Sequence, residues 1–144
     1  MSGKKELETE LEKWKNLSDK HLELFLLMTL WMNIKQDQKS IATWLYERSY
    51  RTIAIYGMGY VGECLIKDLK GSNVEIKYAI DKKKKVLQSG MEMLSPDEEL
   101  QKVDAVIVTA IASFDQIQGV LLKKTDMPIV SFADILLELD AERD

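Results

Sequence analysis

Ten consecutive residues, Ile53-Ala54-Ile55-Tyr56-Gly57-Met58-Gly59-Tyr60-Val61-Gly62, constrain this chain more than any other stretch. An apolar, strand-forming run leads without a break into G-x-G-x-x-G, the spacing at which a strand turns sharply into a helix. Gly57 is expected to make the tight turn. Gly59 has no side chain to hold a phosphate off the backbone, and Gly62 lets the helix lie close to the sheet. The unpaired amides that open the helix then face an anion, which the helix dipole favours. Asp81 closes a second apolar run 24 residues after Gly57. A carboxylate there accepts hydrogen bonds from a ribose and repels a 2′-phosphate. Gly57, Met58, Gly59, Tyr60, Val61, Gly62 and Asp81 are therefore the expected contacts of an adenine-containing nucleotide, with NAD favoured over NADP.

From residue 52 onward, short apolar runs alternate with helical stretches, as in successive βαβ units. Strands are expected over 52–56, 74–80, 92–94, 105–109 and 129–131, and helices over 60–69, 96–101, 114–123 and 133–139. The run Ala105-Val106-Ile107-Val108 has no polar alternation, as expected when both faces of a parallel sheet are covered. The pattern predicts an α/β, Rossmann-like three-layer fold: five parallel strands in the order 3-2-1-4-5, joined by right-handed crossovers. Ligands of such sheets bind beyond the carboxyl ends of the strands, where the order switches. Thr109, at the end of the fourth strand, or Ser113 just beyond it is placed to hydrogen-bond a phosphate or ribose hydroxyl. Ser113 is expected to cap the next helix, with Gln116 completing a capping box. Lys82, Lys83, Lys84 and Lys85 follow Asp81, either as a solvated turn or as contacts to a 2′-phosphate or a phosphorylated sugar.

The first fifty residues read differently. Leu7, Leu11, Trp14 and Leu17 recur at helical spacing, and Leu22, Phe25, Thr29 and Met32 continue almost the same stripe. Ser18 either starts a second helix or sits in the polar seam of a longer one. The segment from His21 to Ile34 holds more apolar groups than one buried stripe accounts for. Left exposed, it would be an association site, so a homo-oligomer joined through these helices is expected, with packing against the following domain and attachment to a membrane surface as the alternatives. Ser40 is a plausible N-cap for a further helix through Ser49 carrying Ile41, Trp44 and Leu45. The short step to Arg51 leaves no flexible linker. Residues 1–50 are thus a helical extension for oligomerisation or docking, and residues 51–144 the nucleotide-binding domain.

A formal charge of −4 and a pI near 5.2 offer a polyanion little attraction, so nucleic acid is not an expected partner. One cysteine, Cys64, excludes an internal disulfide framework and fits a reducing compartment. The stretch from Leu22 to Ile34 is interrupted by Glu23 and Asn33 and is shorter than the roughly 20 residues a membrane span needs. The amino terminus has no continuous apolar signal, so the cytoplasm is the expected location.

The glycine run resembles the dinucleotide turn of nucleotide-sugar dehydrogenases, in which G-x-G-Y-V-G binds NAD. Together with Tyr78-Ala79-Ile80-Asp81 it is also similar to small Rossmann-like domains of bacterial surface-polysaccharide biosynthesis proteins. The likeness covers about residues 51–131. It implies NAD, NADP or a nucleotide sugar as ligand, held at Gly57, Gly59, Gly62 and Asp81. The dehydrogenases require a later domain with a catalytic cysteine and lysine, to which nothing in these 144 residues corresponds.

No residue is assigned to catalysis. His21 is expected to be a partly buried packing residue and Cys64 a packed thiol, and Asp97, Glu98 and Glu99 read as acids in the first turn of a helix. No metal-ligand spacing occurs. Tyr60 either lies over a ligand or fills a gap beside the helical zone. Three functions fit: a nucleotide-binding module with an accessory or sensing role, alone or beside a partner enzyme; a small NAD-dependent oxidoreductase or sugar-nucleotide-modifying enzyme completed by a partner subunit; or an interaction protein whose glycines only form a tight corner.

Overall fold

A computed structural model describes residues 2–83 and 91–142 of the chain. Five parallel strands, β1 (Thr52–Tyr56), β2 (Glu75–Ile80), β3 (Met93–Leu94), β4 (Ala105–Val108) and β5 (Ile129–Ser131), form one sheet in the order β3-β2-β1-β4-β5. This is the expected 3-2-1-4-5 order. β1 lies at the centre: its last residue, Tyr56, is level with Ile80 on one side and Val108 on the other. The register of β1 on β2 shifts between Ile53 and Ala54.

Successive strand side chains point to opposite faces, and both faces are covered. Ile53, Ile55, Ala105 and Ile107 belong to a cluster shared with α1 (Ser2–Gln36), α2 (Ile41–Glu47), α3 (Tyr60–Leu69) and α5 (Phe132–Ala141). Ala54, Tyr56, Val106 and Val108 pack instead with Ile117 and Leu121 of α4 (Phe114–Leu122). Every residue of β4 is buried, which explains its lack of polar alternation.

The amino-terminal stripe forms one continuous helix with no break at Ser18. Leu27, Trp31 and Ile34 are buried, with Trp31 edge-on to Phe132 of α5 at 4.7 Å. The Trp31 indole and the Lys35 ammonium both donate to the Asp68 carboxylate of α3, at 3.2 and 2.6 Å. α2 begins as expected, with Ser40 Oγ accepting from the Thr43 amide, a cap worth about 1 kcal/mol. The Trp44 indole donates to Glu138 of α5 at 2.9 Å. α1 and α2 each end on a left-handed non-glycine residue, Gln38 (φ 60°) and Ser49 (φ 65°). Paired bonds close each end: Lys39 and Gln38 amides to Ile34 and Lys35 carbonyls, then Tyr50 and Ser49 amides to Leu45 and Tyr46. The step into β1 is tied down by Asp104 Oδ2, which accepts from the Arg51 and Thr52 amides.

Three expectations need correction. Residues 96–101 are not helical. Lys124 Nζ donates to the Pro96 and Glu98 carbonyls and the Tyr78 hydroxyl to that of Gln101, bonds that tie the segment down along an irregular path. Asp97, Glu98 and Glu99 therefore lie in a pinned loop with no helix dipole behind them. Ser113 makes no side-chain cap; a 3-10 turn over Ile111–Ser113 leads into α4 and takes the place of the capping box with Gln116. His21 is exposed, because α1 turns its Leu27-Trp31-Ile34 side to the domain. Lys84 and Lys85 lie outside the described residues.

Candidate functional site

Beyond the carboxyl ends of β1, β2 and β4 opens a cleft of about 760 Å³, a volume typical of small-molecule sites (about 300–1,000 Å³). The glycine turn forms its floor, and the packing requires glycine at two of its three positions. Gly57 has φ +99°, and a Cβ on it would lie 2.6 Å from Thr109 Oγ1. At Gly62 a Cβ would lie 2.4 Å from the Gly57 carbonyl oxygen, so only glycine lets α3 start this close to the turn. Gly59 is different: a Cβ there would meet nothing within 4 Å. Its backbone faces open space.

Gly59 is also the N-cap of α3, and no side chain caps it. The amides of Gly59, Tyr60, Val61 and Gly62 are the four that a helix start leaves without an intrahelical acceptor. The two preceding amides are already used. Gly57 N donates to the Ile80 carbonyl at 2.8 Å and Met58 N to Asp81 Oδ2 at 2.8 Å. Met58 thus contributes its backbone to the turn, while its side chain is buried beneath, 2% exposed.

Asp81 is more constrained than its place after β2 suggests. Oδ2 holds the Met58 amide and Oδ1 accepts from the Lys83 amide at 3.0 Å. A carboxylate offers about four lone-pair sites, so these two bonds orient the group toward the cleft and leave acceptor capacity for a ligand hydroxyl. Lys82 and Lys83 are exposed at the rim.

Thr109 lines the cleft, but its hydroxyl serves the scaffold. Oγ1 lies 2.7 Å from the Gly57 carbonyl oxygen and 3.1 Å from that of Tyr56, so its one proton goes to the backbone of the turn. Thr109 thus clamps the turn, and its oxygen keeps a lone pair with which to accept from a ligand hydroxyl. Tyr60 stands at the mouth, 81% exposed, and fills no gap beside the helical zone. Tyr56 lies at the base. Burial, followed by the Asp81 and Asp97 carboxylates, pushes its hydroxyl above the ordinary value of 10.0, so it stays a protonated phenol at neutral pH.

Several wall residues have no signal in the motif. Leu24 of α1 reaches the cleft, so the helical zone forms part of its side. Pro96, Ala110, Ile117 and Val120 add apolar lining, interspersed with Ser95, Asp97, Ser113 and Gln116. Only the excess of apolar residues between His21 and Ile34 hinted that α1 had a second surface to cover. A second cleft, about 640 Å³, runs along α3 from Glu63 to Leu69 and over the amino end of β2, and none of the three glycines of the turn lines it.

Cys64 is a free, half-buried thiol packed against the α1–α3–α5 cluster. Among the described residues no group of three His, Cys, Asp or Glu side chains is placed to hold a metal ion. No helix among them is long and apolar enough to cross a membrane. No protein-family model matches the chain, and no curated protein matches it.

Proposed function

We propose that this protein is a nucleotide-binding module, with NAD(H) as its ligand and an accessory or sensing role. The observation that carries the reading is Gly59: an uncapped helix start whose backbone faces a cleft at the switch point of a parallel sheet. A diphosphate fits there because the Gly59–Gly62 amides need an acceptor and the helix dipole favours negative charge. Asp81, already oriented by two backbone amides, accepts from the ribose hydroxyls and disfavours a 2′-phosphate. The apolar lining at Ala110, Ile117 and Val120 suits the flat face of a base.

The reading extends to an assembly in the cytoplasm, in which self-association through the helical zone or a partner enzyme supplies what acts on the bound nucleotide. Lys82 and Lys83 at the rim make NADP and nucleotide sugars the competing ligands.

Amide chemical-shift mapping tests this directly. Titration of the full chain with NAD is expected to move the Gly59, Tyr60, Val61 and Gly62 amides most, followed by those of Asp81 and Ala110. Shifts concentrated on another surface, or none with NAD, NADP or nucleotide sugars at millimolar concentration, would end the proposal. Larger, tighter shifts with NADP or a nucleotide sugar would keep the site and reassign its ligand.

A further inference from the structure

α1 has two apolar sides, and only one is used within the chain. Leu27, Trp31 and Ile34 face the domain. Leu7, Leu11, Trp14, Leu22, Phe25 and Met32 are 55–66% exposed. With Ser18 and Thr29 they form one seam at spacings of four, three, four, four, three, four and three residues. At roughly 100° per residue the seam centres about 170° around the helix from the buried side. Residues 3–15 are all exposed, so the first turns of α1 touch nothing that holds them helical. Helices draw most of their stability from packing.

We infer that the seam is covered by α1 of a second copy of this chain, aligned parallel and in register. Three observations choose that occupant. The seam lies opposite the domain, so a helix related by a twofold axis along α1 fits against it with both domains outside. The flanks are complementary: parallel in-register pairing sets Glu10 of one chain beside Lys15 of the other, five positions on, and symmetry makes that contact twice. The six large side chains expose on the order of 700 Å² per chain, close to the roughly 800 Å² per partner of a stable interface. Such a pairing closes on itself as a dimer. The successive four-residue steps around Ser18 interrupt a strict heptad and locally unwind the supercoil. A membrane surface is a poorer match, because residues 4–20 carry five lysines and five acids.

The pairing does not depend on nucleotide binding, and its test uses the full chain without nucleotide. Sedimentation and light scattering at micromolar concentration are expected to give twice the 16.5 kDa chain mass. Leu11→Glu with Phe25→Glu should give a monomer whose domain unfolds at nearly the native temperature, since both side chains are exposed in the single chain. Glu10→Lys should weaken the dimer several-fold, and Glu10→Lys with Lys15→Glu should restore it. In a Cys64→Ser background, Leu11→Cys should oxidise to a covalent dimer. A native chain that stays monomeric at 100 μM overturns the inference, whether or not it binds anionic vesicles. So does efficient cross-linking of a Leu7→Cys chain to a Met32→Cys chain with none between Leu11→Cys chains, which would mean antiparallel helices.

Discussion

Replacing Gly62 by alanine separates a structural glycine from an accessible one. The new Cβ would sit 2.4 Å from the Gly57 carbonyl oxygen and 3.0 Å from Met58 Sδ. Carbon–oxygen contacts settle near 3.3 Å, so α3 and the turn must separate by about 0.9 Å. The obstructing atom is backbone, already held by the Thr109 hydroxyl, so it cannot swing aside. Overpacking of this kind costs about 1–3 kcal/mol. Alanine's better helix propensity returns at most about 1 kcal/mol, and less in a first turn. The net loss should be about 1–2 kcal/mol, or about 3–7 °C in Tm for a chain of this size. Gly59→Ala is the control: it meets open space at φ −85°, and its stability should stay within about 0.5 kcal/mol of native. Thermal unfolding followed by circular dichroism, with urea titration to check the slope, measures both. A Gly62→Ala protein within 1 °C of native, or a Gly59→Ala protein that falls as far, would refute the close approach of α3 to the turn.

Asp81→Ala should cost about 1–3 kcal/mol even without ligand, because the Met58 and Lys83 amides lose a charged acceptor. Asp81→Asn keeps an acceptor and should lose less, while both variants narrow any preference for NAD over NADP; denaturant titration and binding measurements report the two effects separately. Ser49→Gly should stabilise by about 0.5–1 kcal/mol by removing a left-handed non-glycine residue, and an unchanged or lowered urea midpoint would contradict the α2 end. The Asp104 carboxyl is held below its ordinary value by the Thr52 and Arg51 amides. Its contribution is therefore present above the unfolded value near 4 and lost as pH falls through the lower folded value. The Tm gap between native and Asp104→Asn proteins should close over that acidic range, and a constant gap would exclude the two backbone bonds as its source.

The centre of the fold was legible because its signals are local. Strand, glycine turn, helix and acid all lie between Thr52 and Asp81, and β1, α3 and β5 fall where the residues place them. The contacts that define the cleft are long-range, and there the sequence said less. The excess of apolar residues around Leu24 signals a second surface on α1 but not that it faces the glycine turn. The strand end places Thr109 at the cleft, but its hydrogen bonds to the Tyr56 and Gly57 carbonyls, more than fifty residues away, leave no local signal. Pro96-Asp97-Glu98 has the composition of a helix start, but Lys124, 26–28 residues later, bonds the Pro96 and Glu98 carbonyls instead. The stripe in the first thirty-two residues was visible as periodicity. Its division into a docked side and an open side required Trp31, Asp68 and Phe132 to be brought together.

Calorimetric titration of the native protein and Gly59→Val with NAD is the most direct test of nucleotide binding at the glycine turn. Valine at this open position should leave unfolding nearly unchanged while its side chain fills the space above the α3 amides. Saturable binding by the native protein and at least about tenfold weaker binding by the variant are expected, a loss of about 1.4 kcal/mol or more. Equal affinity in the two proteins would place the nucleotide elsewhere and contradict the account.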